Sequence, residues 1–369
     1  MQIPIYKPEL PPYEVVEPEI RDMYASGMLY PGPFTDRLER QAEAYCGVPH
    51  VAAVTSCSLG LILLLNILHH LKGGKVIMPS FTFNATLQAL EWNDFIPVVV
   101  DVDDDGQMRP DLVEDALRQH PEVVAIVPVH MWGNACYPAE YEKIWLDHGV
   151  SVFFDGAHVF GTTYKGQSLT QFGSGIVYSI AATKPVSAGE GGLVATRFPA
   201  VDEGLREGAG HGLVGSLDTR TRGINGKIQE FNSILAYHAI ERFDATRSRR
   251  TEIMETYRAG FADLPLRIWE PREHVEPSYK DCVVFTRNSA ERARLETYLN
   301  EREIGTKRYF DPAIPDMGSF GGIVHSAENG RRLAEICLSL PLYPSLTNSD
   351  VERIITTVRS FFGGQSDRS

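Results

Sequence analysis

No apolar run in this chain is long enough to span a membrane, which takes roughly 20 consecutive apolar residues as a helix. The first residues, Met1-Gln2-Ile3-Pro4-Ile5, lack the basic-then-apolar order of a secretory leader, so no signal peptide is expected. Cysteine is sparse: Cys46, Cys57, Cys136, Cys282 and Cys337 are scattered and odd in number. No pair has metal-ligand spacing, so no metal is expected, and a reduced cytoplasm is the simplest setting. Positive charge is also short. The 35 Lys and Arg against 48 Asp and Glu leave a net charge of -13, the wrong sign for nucleic acid as a partner. An anionic substrate then needs a local basic pocket, because the overall field repels it. There is no internal repeat and no low-complexity segment.

What is present is a large apolar content, 43% of 369 residues, enough for one large domain and a smaller one. Seven apolar runs read as strands: Val51–Val54, Val76–Met78, Pro97–Val100, Val123–Val127, Val150–Phe154, Ile176–Ile180 and Leu193–Thr196. They are continuous rather than alternating, so both faces of each strand are expected to be buried, as in a mostly parallel sheet with helical crossovers. A Leu-rich helix is expected from about Leu59 to Leu71 and another from about Ala85. Ile228 to Phe243 carries apolar residues at helical spacing. The tail from about Thr251 reads as a smaller α+β unit whose last residues, Gly363 to Ser369, are polar and frayed.

The chemistry concentrates in three segments: Asp155-Gly156-Ala157-His158, Ser179 through Lys184, and Gly189-Glu190-Gly191-Gly192. An acid at the end of an apolar strand sits where open α/β sheets bind ligands. A lysine between a short apolar strand and a Gly-rich turn is placed to hold an aldehyde cofactor, pyridoxal phosphate (PLP), as a Schiff base, with the acid on the pyridine nitrogen. Taken singly, Asp155 is as well explained by a helix N-cap and Lys184 by a solvated surface; together they point to the cofactor. Thr55-Ser56-Cys57-Ser58-Leu59-Gly60 lies between a strand and a helix, where free N–H groups and hydroxyls favour a phosphate.

At these residues the chain resembles the DegT/DnrJ/EryC1/StrS family of sugar aminotransferases. The resemblance implies a fold-type I PLP transferase: a mainly parallel seven-stranded sheet in a large domain, residues 14–245, and a smaller α+β domain, residues 246–369 together with 1–13. It implies that Lys184 bonds the cofactor and then moves the proton. Asp155 meets the ring nitrogen, and His158 lies near the 3-hydroxyl. Cys57, Ser58, Leu59 and Ser179 hold the phosphate. Pro79-Ser80-Phe81-Thr82-Phe83-Asn84-Ala85-Thr86 resembles a family block in which Phe83 stacks on the ring. Val129-His130-Met131-Trp132-Gly133 resembles another, in which His130 is structural. Tyr30-Pro31-Gly32-Pro33 and Leu340-Pro341-Leu342-Tyr343-Pro344 extend the resemblance to nearly the whole chain.

Gly223-Ile224-Asn225-Gly226-Lys227-Ile228 resembles the segment that crosses the family's dimer interface, which makes Asn225 and Lys227 phosphate ligands in trans and a homodimer part of the function. Gly305-Thr306-Lys307-Arg308-Tyr309-Phe310 resembles a block beside the substrate, so Lys307, Arg308 and Tyr309 are substrate candidates, with Arg220 and Arg222 as further positive charge. The resemblance implies L-glutamate or L-glutamine as amino donor and a nucleotide-linked keto-deoxysugar as acceptor, in a ping-pong reaction. Many members acting at the sugar C4 carry His three residues before the lysine, where this chain has Ala181. The Gly-Glu-Gly-Gly turn still resembles C4-type members, so a 4-keto-6-deoxyhexose is expected. A 3-keto sugar, a keto-cyclitol and a non-enzymatic PLP-binding sensor are the alternatives. The related sugar 3-dehydratases carry His in place of the lysine.

Overall fold

The computed structural model describes residues 2–215 and 218–363, and the polar end from residue 364 lies outside them. The seven expected strands are β1 (His50–Val54), β2 (Lys75–Pro79), β3 (Ile96–Val100), β4 (Val123–Ile126), β5 (Ser151–Asp155), β6 (Gly175–Ser179) and β7 (Gly192–Thr196). An eighth, β8 (Ile323–Val324), joins them, and the sheet order is β1-β7-β6-β5-β4-β2-β3-β8. All pairings are parallel except those of β7, which runs antiparallel to both β1 and β6. The two-residue β8 has no apolar run of its own. It forms because the segment beyond the small unit's first helix returns to pair Ile323 with Val98, so chain from past residue 245 completes the large sheet's edge.

The central strands send alternate side chains into two different apolar clusters. Ile77, Val98, Val100, Val152, Phe154 and Ile176 lie in one; Val76, Met78, Val99, Phe153 and Val177 lie in the other. All eleven are 2% exposed or less. Burying one Val, Ile or Phe stabilises by roughly 1.5–3 kcal/mol, so the continuous apolar runs follow from helices covering both faces.

Among those helices are α1 (Tyr13–Ser26), α2 (Pro33–Cys46), α3 (Cys57–Asn66), α4 (Asn84–Glu91), α5 (Glu230–Glu241) and α6 (Phe243–Phe261). Helix α3 stops at Asn66 rather than continuing to Leu71. The Asn66 side-chain Nδ2 donates to Thr221 Oγ1 and to the Arg222 carbonyl, and the next turn tightens into a 3₁₀ segment, His69–Leu71. The helix expected over Ile228–Phe243 is divided: Arg242 at φ -98°, ψ -2° separates α5 from α6.

The remaining layer holds an antiparallel sheet of Arg267–Ile268, Cys282–Phe285 and Cys337–Leu340, with helices Ser289–Asn300 and Asn348–Gly363. The N-terminal segment joins this layer: the Ile3 N–H donates to the Glu303 carbonyl and the Gly305 N–H to that of Ile3. No helix among the described residues is long and apolar enough to cross a membrane.

Candidate active site

The loops after β1, β2, β5 and β6 all leave the sheet at the carboxyl edge of its parallel strands, the edge at which such sheets bind ligands. They surround a cavity of ≈ 250 Å³ whose wall includes Ser56, Cys57, Ser58, Phe83, Asp155, His158, Ser179, Ala181, Lys184, Lys307 and Tyr309. That is near the lower end of small-molecule sites, about 300–1,000 Å³.

Asp155 ends β5 and is 4% exposed. Its Oδ2 accepts from the Thr86 hydroxyl at 2.9 Å and its Oδ1 from the Ala157 N–H at 3.0 Å. Burial pushes the carboxyl up, while those two donors and Lys184 pull it back. Two donors leave carboxylate lone pairs free to accept from a ring N–H.

Helix α3 begins next to it. Ser56 is the N-cap, and its Oγ accepts from the Leu59 N–H at 3.1 Å. The Leu59 amide is thereby used inside the chain and Leu59 is not in the cavity wall, whereas Cys57 and Ser58 are. Their amides head a ten-residue helix, an arrangement suited to phosphate. Gly192, at the start of β7, permits the close approach: a Cβ there would lie 2.8 Å from the Cys57 nitrogen.

Lys184 rides on the turn between β6 and β7. The Ile180 N–H donates to Gly191, that of Ala182 to Gly189, and that of Lys184 to Ala181; Gly189 takes φ +83°. Burial lowers the amine's affinity for a proton and Lys307 adds to this, while Cys57, Asp281 and Asp155 oppose it. The half-buried amine is thus biased toward its neutral, nucleophilic form. His158 is also held neutral, by burial first and then by Lys184, Lys280 and Lys307. Its Nδ1 accepts from the Trp132 N–H at 3.2 Å. Phe83 is 55% exposed and its ring lies 5.9 Å from that of Phe310, leaving an aromatic surface to the cavity.

The residues fit PLP: an amine, a buried carboxylate, a helix N-terminus with hydroxyls at Ser58 and Ser179, and an aromatic face line one cavity. His130 has a different part. Its Nδ1 accepts from the Cys136 N–H at 2.7 Å and its ring stacks on Phe154 at 4.7 Å.

Several expected residues lie elsewhere. Arg308 is hydrogen-bonded to Glu296 through Nε at 2.8 Å and 3.0 Å and is not in the wall. Arg220 and Arg222 are exposed and paired with Glu207 and Asp94. Asn225 and Lys227 line a separate open groove of ≈ 660 Å³ with Leu29, Tyr30 and Phe231. Within their own chain they are not brought to Lys184. Nothing in the sequence pattern gives a role to the side chains of Thr86, Lys280 and Asp281. Thr86 stands in a segment already singled out, but nothing local marks its hydroxyl as the partner of Asp155. Lys280-Asp281 looks like any surface pair.

Residues 14–359 match the DegT/DnrJ/EryC1/StrS aminotransferase family. The chain is 28% identical to a Shigella dysenteriae dTDP-4-amino-4,6-dideoxy-D-glucose transaminase, over 97% of this chain and 99% of that one. Among solved structures it resembles the aminotransferase TlmJ from Streptoalloteichus hindustanus, with a TM-score of 0.92 and 26% identity over 99% of this chain and 100% of that one. It also resembles DesI solved in the presence of its TDP-sugar product, with a TM-score of 0.92 and 26% identity over 99% of this chain and 94% of that one.

Proposed function

The chain belongs to the DegT/DnrJ/EryC1/StrS aminotransferase family, and from that premise we propose that it transfers an amino group from L-glutamate or L-glutamine to a nucleotide-linked 4-keto-6-deoxyhexose. The observation that carries this reading is the meeting of Lys184, Asp155 and the start of α3 on one cavity. PLP, the cofactor of this aminotransferase, supplies an aldehyde that takes up the amine and a ring that withdraws electrons from the reacting carbon.

The chain's own residues do the rest. Asp155 holds a proton on the ring nitrogen. The amides of Cys57 and Ser58 and the hydroxyls of Ser58 and Ser179 hold the phosphate. Phe83 fixes the ring plane. Lys184, whose amine burial biases toward its neutral form, would hold the cofactor's aldehyde and would serve as the acid and base beside the reacting carbon. Lys307 supplies the local positive charge that an anionic substrate needs on a protein of net charge -13.

The reading includes a second copy of the chain. The groove of Asn225 and Lys227 is walled by Leu29, Tyr30 and Phe231, which are 58%, 63% and 43% exposed; covering it would bring both polar side chains to a neighbouring site. All five cysteines are free, which supports a reducing, cytoplasmic setting.

The choice of C4 is supported by the activity for which the Shigella relative is named. Ala181 in the cavity wall offers no imidazole to a sugar hydroxyl and favours the alternative, a 3-keto sugar or a keto-cyclitol. The experiment is to load the protein with PLP, follow its visible absorbance on adding L-glutamate and, separately, L-glutamine, and assay 2-oxoglutarate or its amide. A panel of 4-keto and 3-keto nucleotide sugars and keto-cyclitols follows. Loss of the band with release of 2-oxoglutarate, then amination of a 4-keto nucleotide sugar, is the expected result. A band unmoved by both donors, or amination confined to cyclitols, would sink it.

A further inference from the structure

Behind Lys184 lies a second cavity of ≈ 20 Å³, room for about one water. Lys184 is in its wall, together with Lys280, Asp281, Tyr309, Lys307 and Arg250. Three of these form a buried network. Lys280 Nζ donates to Asp281 Oδ1 at 2.7 Å and to the Tyr309 hydroxyl at 3.0 Å, and that hydroxyl donates to Asp281 Oδ1 at 2.9 Å. The Lys280 and Asp281 side chains are only 5% and 10% exposed.

A buried ion pair is a poor device for stability, because desolvating both charges offsets their attraction. This one is also incomplete: Asp281 Oδ2 has no hydrogen-bond partner among the described residues. An unfilled carboxylate oxygen costs free energy where it lies, and neither residue lines the cofactor cavity described above. Its placement gives it a use. A lysine and an aspartate of opposite sign share one small, poorly hydrated cavity with the amine that must take up and release a proton.

We propose that Lys280 and Asp281 are a positioning pair for Lys184, holding its proton balance by opposed charges at fixed places, with Tyr309 clamping the two. The inference rests on Lys184 being the lysine that bears the cofactor. Charges face this amine from several elements: Asp155 from β5, Lys307 beside Tyr309, and the Lys280–Asp281 pair. Cys57 faces it from α3 as a neutral thiol, since burial holds it protonated. Burial pushes Lys280 down to about 7, so its charge changes near neutrality. Arg250 stays out of this exchange. Its guanidinium donates to the Leu342 carbonyl at 2.9 Å, and burial lowers it only to about 10.

The test uses the full-length protein loaded with PLP and follows the visible band of the lysine-bound cofactor against pH. Lys280→Met removes a positive neighbour, so the midpoint should rise by roughly 0.5–1.5 pH units. Asp281→Asn removes a negative one, and the midpoint should fall by a similar amount. The double variant should return close to the parent, and Lys280→Arg should stay there. PLP affinity measured across the same pH range should move with the midpoint. A pair with a merely structural role would move both single variants the same way or not at all, and either result overturns the inference. If Lys280→Met does not fold, the fall in Asp281→Asn and the parent-like Lys280→Arg still decide. No visible band in the parent overturns the reading of Lys184 itself. A normal band with unmoved midpoints overturns this inference alone.

Discussion

The Thr86 hydroxyl donates to Asp155 Oδ2 at 2.9 Å across 69 residues of sequence, joining the first turn of α4 to the end of β5. With the Ala157 N–H on the other oxygen, it favours the ionised carboxylate against the burial that disfavours it. Thr86→Val keeps the shape and removes the donor. Losing a hydrogen bond to a charged group costs about 1.5–3 kcal/mol, which should appear as PLP affinity weakened by roughly 10- to 100-fold. Titrating the PLP-free variant with cofactor measures it, and unchanged affinity would show that Thr86 does not support Asp155.

Lys184→Ala should abolish release of 2-oxoglutarate, while the circular dichroism spectrum and the melting temperature stay close to those of the parent. The side chain is half-buried and its backbone bond within the turn survives truncation. The same variant tests the second subunit. If Lys227 reaches the partner's phosphate site, Lys227→Ala alone is weakened, and refolding it with an equal amount of Lys184→Ala restores about a quarter of parent activity. The fraction follows from symmetry: half the dimers are mixed, and each has one intact site. No recovery on mixing would place Lys227 in its own chain's site.

The seven long strands were legible because each is a run of β-branched or aromatic residues with both faces buried, and Val98, Val99 and Val100 need no context to announce this. Asp155, Lys184, Ser58 and Phe83 were legible as candidates because Asp155 ends β5 and the other three follow β6, β1 and β2 within a few residues. The rest depends on contacts distant in sequence. Neither Ile323 nor Val324 carries a signal that it will extend the sheet; β3 supplies it. Asn66 ends α3 through the loop at Thr221 and Arg222, and the Leu-rich pattern does not register that pull. Lys280 and Asp281 are adjacent charged residues, which in sequence read as surface; only the closing of the N-terminal segment, Tyr309 and α6 around them makes them buried.

Glu230 is a further case. It is fully buried, and its carboxylate accepts from the Gly32, Phe34 and Thr35 amides at 3.0, 2.9 and 2.9 Å and from the Thr35 hydroxyl at 2.6 Å. It thereby caps the amino end of α2, whose own N-cap, Gly32, has no side chain. Glu230→Gln turns one oxygen into a donor facing other donors. It should cost about 2–4 kcal/mol, read as a lower urea midpoint with the slope unchanged. A loss below about 0.5 kcal/mol, the range of an ordinary surface change, would show that α2 does not rely on this cap.

His130 makes stability depend on pH in a direction that burial fixes. Desolvation pushes the buried imidazole from its ordinary 6.5 down to about 3. Below pH 6.5 the unfolded chain takes a proton there that the folded chain refuses, so the unfolded state binds more protons and stability falls as pH falls, until the folded imidazole also titrates near 3. His130→Gln keeps an acceptor for the Cys136 N–H and cannot titrate. The variant starts less stable, having lost the stack on Phe154, but it should lose about 1.6 kcal/mol less than the parent between about pH 6.5 and about pH 5. Urea unfolding of both proteins at those two pH values checks it. Parallel losses would mean that His130 takes its proton in the folded state, and that its place between Cys136 and Phe154 tolerates a charge.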